Sequence, residues 1–242
     1  NLCKDVMVFG CNLDGALAEY MKIPAQAIQR GALVKIPDEL SDEEAVLIEP
    51  FSCCLHGISR ANVEPGDTVV VIGAGPIGLA HLTLLKISGS GKVIVSDIVN
   101  KRLERAKKFG VDVTVNSKEG NLPSKVKELT KGKGADSVIV AAPSKEAVEE
   151  GLKIVRRGGR IVIFGGCPAN TLIQTDPNLI HYSEITVTGS IDSTIDDFRR
   201  TVQLISRVNL KPFITHRFPL EEVHQAMQVM KDKKGLKVIL TF

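Results

Sequence analysis

No stretch of the sequence is long and apolar enough to span a bilayer. Tryptophan is absent and aromatics make up only 4% of the chain, with no basic face or aromatic-rich run that would suit a nucleic acid. Charge of one sign is also missing, since acids and bases are interspersed and the net is only +3. The opening residues, NLCKDVMVFG, have neither the charged-then-apolar shape nor the cleavage site of a secretory signal. The five cysteines (Cys3, Cys11, Cys53, Cys54 and Cys167) are odd in number and scattered, which argues against a disulfide framework and for a reducing, cytoplasmic compartment. There are no repeats and no low-complexity runs. What is present is 43% apolar and 24% charged residues over 242 positions, enough for a proper core in one large domain or two ordinary ones.

The most informative stretch is Thr68 to Asp97. A β-branched apolar run, Thr68 to Ile72, leads into Gly73-Ala74-Gly75-Pro76-Ile77-Gly78 and then a helical pattern. A second apolar run, Lys92 to Val95, ends on Asp97, about 20 residues beyond the last glycine. A glycine triplet alone is a weak signal; between a strand and a helix, with an acid closing the next strand, it reads as a dinucleotide site. Gly73 would allow the tight turn, Gly75 the approach of a pyrophosphate, and Gly78 close packing of helix on strand. The helix N-terminus would offer free N–H groups and partial positive charge to the phosphates. Asp97 would accept hydrogen bonds from the adenosine ribose and repel a 2′-phosphate, favouring NAD over NADP. The bland alternative is a glycine-rich turn without a nucleotide.

From Thr68 the chain alternates. Strands are expected at 68–73, 92–97, 112–115, 136–141, 160–165 and 185–189, and helices at 76–88, 100–109, 122–130 and 145–155. The fourth and fifth strands are continuous apolar runs, as in a parallel sheet covered on both faces. The fold class is therefore α/β, a doubly wound Rossmann-type parallel sheet with its ligand at the strands' C-terminal ends. Residues 1–36 read as part of a small β-domain, with strands expected from Ala16 to Ile23 and from Leu33 to Ile36. Ser41 with Glu44 marks a helix start that would run through Ile48, where Pro50 would disturb it, before a second helical stretch from Cys53 to Arg60. After residue 190 come a helix from about Thr194 to Ser206, a strand at Thr215 to Phe218, a helix from Leu220 to Met230, and a terminal strand from Lys237.

Five motifs in order resemble the zinc-containing medium-chain alcohol and polyol dehydrogenases, in their sorbitol-dehydrogenase-like branch. They are Gly15 to Tyr20, Ile48 to Ser52, Val71 to Gly78, Lys211 to Leu220 and Gly235 to Leu240. The resemblance implies three segments. Residues 1–51 would be part of a GroES-like β-barrel catalytic domain, 52–192 an NAD-binding Rossmann domain, and 193–242 a return to the catalytic domain. Family members carry a Cys-Gly pair and a Gly-His-Glu motif that supply the first catalytic zinc ligands; this chain has no Gly-His-Glu, so it reads as a member lacking its N-terminal part and inactive alone.

The same resemblance carries roles to particular residues. Glu49 would sit at the catalytic zinc, directly or through its water, although one carboxylate cannot hold zinc alone. Cys3 matches the last cysteine of a four-cysteine structural zinc lobe whose partners are absent. Cys53 falls in a segment that touches the nicotinamide ring, though a buried apolar cysteine fits it as well. Ile77 would press on the nicotinamide and Arg102 would reach the ribose, unless it is a solvated helix charge. Ala141, Gly165 and Gly166 would line the cofactor groove. Lys237 matches a cation near the pyrophosphate, or is an edge lysine. Sorbitol dehydrogenases carry an arginine and an aromatic after the sixth strand, where this chain reads Gly189-Ser190-Ile191-Asp192-Ser193-Thr194, so the substrate is kept to a polyol or secondary alcohol. The implied activity is zinc-dependent hydride transfer from that small molecule to NAD, by a homodimer or homotetramer. The alternatives are an NAD-binding fragment or relative without catalysis, and a zinc-free reductase of the same superfamily.

Overall fold

The computed structural model describes all 242 residues, and the chain divides into two compact units, Cys53–Asp192 and the pair of segments Asn1–Ser52 with Ser193–Phe242. The larger unit is a six-stranded sheet of β1 (Thr68–Ile72), β2 (Lys92–Asp97), β3 (Val113–Asn116), β4 (Ala135–Val140), β5 (Val155–Ile163) and β6 (Thr186–Gly189). Every pairing is parallel and the order is β3-β2-β1-β4-β5-β6, the doubly wound arrangement in which the direction of winding reverses between β1 and β4. Helices α4 (Pro76–Ile87), α5 (Asn100–Lys108), α6 (Leu122–Leu129), α7 (Lys145–Ile154) and α8 (Pro177–Ser183) fill the crossovers.

The β-branched runs form these strands because both faces are covered, so no polar alternation is needed. Val70, Ile72, Ile94, Val138, Val140 and Ile161 point to one face, where they pack with Leu122 and Val126 of α6 and Val148 and Leu152 of α7. Their neighbours Val69, Val71, Val93, Val95 and Ile139 alternate to the other face and are equally dry.

Two strands end sooner than the apolar runs suggest. The amides of Ala141 and Ala142 both donate to Ile72 O, at 2.9 and 3.0 Å, and those of Phe164 and Gly165 both donate to Val140 O, at 3.0 and 2.8 Å. The chain curls off the ladder at both places. β5 also starts earlier than expected, directly after α7, and the register slips between Ala135 and Ser137 while Arg156 reaches back to the Asp136 carboxylate.

In the smaller unit the expected strands at Ala16 to Ile23 and Leu33 to Ile36 do not form. Neither stretch has a neighbouring strand to take its backbone hydrogen bonds, and the single pairing in this region is an isolated bridge between Phe9 and Leu13. A short helix, α1 (Ala25–Gln29), buries no residue. The capping box at Ser41 and Glu44 does form and opens α2 (Asp42–Ala45). Pro50, expected to disturb a helix, instead lies in the first turn of α3 (Ile48–Arg60), where the missing N–H costs nothing. The two expected helical stretches there are thus divided before Ile48 and joined across Pro50.

Within this unit, Phe51 meets Phe213 edge to face at 5.1 Å, and Arg217 pairs with Glu43 through Nε–Oε1 and Nη2–Oε2 contacts of 2.6 and 2.7 Å. A second capping box, Thr194 with Asp197, starts α9 (Ile195–Ile205). Strands β7 (Ile214–Pro219) and β8 (Lys237–Thr241) pair in parallel across α10 (Val223–Lys231), which is preceded by a 3-10 turn at Leu220–Glu222. No helix is long and apolar enough to cross a membrane.

Two contacts in the larger unit set the position of α4. Gly78 lies so close to the end of β1 that a Cβ there would stand 1.8 Å from Gly73 O. His81, fully buried, meets Phe164 edge to face at 4.6 Å, with Nδ1 3.0 Å from Ile77 O. A carbonyl can only accept, so Nδ1 carries the proton, and Nε2 is left without a hydrogen-bond partner. Burial pushes the His81 pKa down to about 4 from 6.5, against the smaller upward pull of the Ile77 carbonyl.

Gly78→Ala should cost at least about 2 kcal/mol in chemical denaturation, because backbone rather than a yielding side chain occupies the space. The His81 ring is neutral in the folded protein and takes up a proton on unfolding below pH 6.5. Its contribution is therefore intact above about pH 6.5 and lost as the pH falls toward about 4. Stability measured across that window should decline with a slope approaching about 1.4 kcal/mol per pH unit from this group, and His81→Leu should flatten it.

Candidate functional site

The site is built where β1, β4 and β5 end. β1 runs into Gly73, whose φ of +112° is open only to glycine, and whose N–H donates to Ser96 O at 2.7 Å. A Cβ on Gly73 would also press within 3.1 Å of Ala142 N. Gly75 then caps α4 with an extended backbone, φ −74° and ψ −175°, and Pro76 takes the first helical position, where its fixed φ suits the turn and its missing N–H is not needed. With Pro76 unable to donate, the first-turn amides of Ile77 and Gly78 are those left without intrahelical acceptors.

The glycines sort by cause. Gly73 is required by its φ, and Gly78 and Gly165 by contact; a Cβ on Gly165 would lie 2.9 Å from Ala142 C. Gly75 and Gly166 are different. Neither has a left-handed φ, and neither would bring a Cβ within 4 Å of any other part of the chain. No other glycine in the protein combines an ordinary backbone with such open space. Both lie just past the C-terminal ends of strands, β1 and β5, beside the reversal of winding where ligands of such sheets bind.

Asp97 closes β2 and is nearly buried. Its Oδ2 accepts from Ala74 N–H at 2.8 Å and its Oδ1 from Val99 N–H at 2.9 Å, while Arg102 Nη1 stands 3.5 Å from Oδ2. Arg102 is therefore not a freely solvated helix charge; it leans back on the acid. Two residues that the motif does not name hold Ile77. Its carbonyl receives both His81 Nδ1–H and, at 3.7 Å, the buried Cys54 thiol from α3. The four-residue step from Ile77 to His81 along one helix face was the available signal for the first; the second arises only when α3 packs on α4. That approach needs Gly57, where a Cβ would lie 2.8 Å from the Phe164 ring.

Gly73, Gly75, Pro76, Ile77, Gly78, Asp97, Arg102, Ala141, Gly165 and Gly166 thus gather around the C-terminal ends of β1, β2, β4 and β5, and half-buried Cys53 belongs to the same unit on α3. Glu49, Cys3 and Lys237 belong to the other unit. Glu49 is exposed in the first turn of α3, and its carbonyl accepts from Ser52 Oγ at 2.7 Å. Cys3 is an exposed free thiol. Lys237 opens β8 opposite Ile214, half-buried. No three His, Cys, Asp or Glu side chains come together as metal ligands. A zinc ion held by protein needs three or four of them, so these residues by themselves do not fit zinc.

The chain is similar to known proteins over most of its length. The family of zinc-binding dehydrogenases matches residues 76–207. The sorbitol dehydrogenase of Bacillus subtilis (strain 168) is 33% identical over 231 residues, covering 94% of this chain and 64% of that protein. A zinc-binding dehydrogenase structure from Sinorhizobium meliloti 1021 bound to NADP superposes with a TM-score of 0.89 at 27% identity, covering 100% of this chain and 70% of the other. A short chain alcohol dehydrogenase structure from Escherichia coli CFT073, complexed with NADH, does so with a TM-score of 0.89 at 29% identity, covering 99% and 70%. The chain spans about two thirds of the length of these relatives. With the match running from the start of α4 through β2 to β6 and into the segment that follows, more than half of the chain, the chain belongs to the family of zinc-binding dehydrogenases.

Proposed function

We propose that this protein is an oxidoreductase of the alcohol and polyol dehydrogenase type, binding NAD and taking hydride from a polyol or secondary alcohol. One observation carries the nucleotide part. Gly75 and Gly166 have neither a left-handed φ nor any neighbour that a Cβ would meet, and both lie at the ligand-facing ends of strands, where a ligand backed closely against the main chain supplies a reason for them. The first-turn amides of α4 and the positive end of its dipole suit a pyrophosphate. Asp97 suits the ribose, and Ile77, Ala141, Cys53 and the Gly165-Gly166 turn suit the rest of the dinucleotide. The bound nicotinamide supplies the hydride chemistry; the chain's part is to hold it and keep water from it. Of the nicotinamide cofactors bound by the similar structures, NADH and NADP, the buried Asp97 favours the one without a 2′-phosphate.

Glu49 and Cys3 are proposed as metal residues only in company with ligands that these residues do not supply, and no step is routed through a metal here. Lys237 is proposed as a phosphate contact on its residue type and the family pattern. The edge strand β6, mostly exposed, supports pairing of copies into a dimer or tetramer. The missing ligand set favours a second reading, a nucleotide-binding protein without catalysis.

Three outcomes are expected. In a titration NAD should bind at least about tenfold more tightly than NADP, a difference of about 1.4 kcal/mol, and equal affinities would count against Asp97 as the discriminator. Gly75→Ala should leave the melting temperature within a few degrees yet weaken NAD by about tenfold or more, since its methyl group enters only the cradle. The 242-residue chain should bind NAD without zinc-dependent turnover of an alcohol and polyol panel; robust turnover that a chelator abolishes would sink the metal argument.

A further inference from the structure

Asp97 has more to do than meet a ribose. Its side chain is only 4% exposed, and both oxygens are already engaged by the chain. The two amides that it accepts from belong to different turns. Ala74 stands in the middle of the glycine turn after β1, and Val99 is the N-cap of α5 after β2. One carboxylate thus ties the ends of two neighbouring strands together at their ligand-facing side, with Arg102 balancing part of its charge.

We infer that Asp97 is the positioning residue of the phosphate cradle: by holding the Ala74 N–H it fixes the glycine turn, so that the first-turn amides of Ile77 and Gly78 are aimed before any ligand arrives. The inference rests on the dinucleotide reading above and deepens it. Ala74 is fully buried, so its N–H has no water to turn to if the carboxylate is removed. The Ala74 N–H and the Gly73 carbonyl belong to one planar peptide, and that carbonyl is the surface on which Gly78 at the start of α4 is laid. Once the carboxylate no longer holds the N–H side, a tilt of this peptide about Gly73 and Ala74 displaces its carbonyl and carries the entry to α4 with it. Electrostatics alone predicts the opposite effect on affinity. Taking a negative charge away from the neighbourhood of a pyrophosphate should tighten binding, so a loss reports geometry.

The test separates ribose from phosphate. ADP and 2′,3′-dideoxy-ADP, which offers no ribose hydroxyl to Asp97, are titrated into the wild-type protein, Asp97→Ala and Asp97→Asn, and hydrogen exchange at the Ala74 amide is followed without ligand. Dideoxy-ADP should bind about tenfold more weakly to Asp97→Ala than to the wild type, with Asp97→Asn, which keeps one acceptor, between them. Ala74 exchange should quicken by at least about tenfold in Asp97→Ala. Equal affinity of all three proteins for dideoxy-ADP overturns the inference, whether or not exchange changes, and leaves Asp97 a ribose acceptor alone. If the wild type binds neither ligand, the dinucleotide reading fails, and unchanged Ala74 exchange then overturns the latch independently. Should Asp97→Ala fail to fold, the comparison of Asp97→Asn with the wild type decides.

Discussion

The contact between Gly78 and the carbonyl of Gly73 is the constraint on which the site depends. A helix normally rides about 10 Å from a sheet, at the distance its side chains set. Here α4 starts with main chain laid on main chain, and a methyl group would meet an oxygen at 1.8 Å. That approach brings the N-terminus of α4 directly to the end of β1, so the turn between them can be three residues long and still aim its amides outward. The fully buried side chains of Leu79, Leu82 and Leu85 then keep the rest of the helix in place.

Around this contact, polar groups are used sparingly and mostly to hold backbone. His81 and Cys54 converge on one carbonyl, that of Ile77; Asp97 converges on two amides; Ile72 O and Val140 O each take two amides where the chain leaves the sheet. None of these bonds adds much to stability by itself, since each replaces a bond to water. Their effect is to fix the shape of the strand ends in a place where regular sheet hydrogen bonding has stopped. The cost is visible in His81, which must stay neutral to remain there.

Most of the sheet was legible in the sequence because a β-branched run without polar alternation has few other uses, and because a glycine turn followed by an acid is a local pattern. The ends of β4 and β5 were less so. Ala141 and Gly165 continue apolar or small runs, and only the neighbouring carbonyls decide that they leave the ladder. Residues 1–36 were misread in the opposite direction. Their composition suits strands, but a strand exists only with a partner, and Ala16 to Ile23 has none in this chain. Pro50 was misread because its meaning depends on where a helix begins: four residues into a helix it breaks the ladder, and in the first turn it costs nothing.

The order and type of the elements from Thr68 to Gly189, apart from the short helix α8, the dinucleotide motif and the family were determined by the sequence alone, since all three rest on patterns of neighbours along the chain. Which glycine answers to a φ, which to a contact and which to open space was decided by the tertiary structure. So were the second duty of Asp97 and the neutral state of His81. In each case the deciding atom comes from a distant part of the chain: Ala142 against Gly73, Ala74 against Asp97, Phe164 against His81. A sequence states which side chain is present, but the atoms that oppose it, and hence its energy, exist only once the chain has folded.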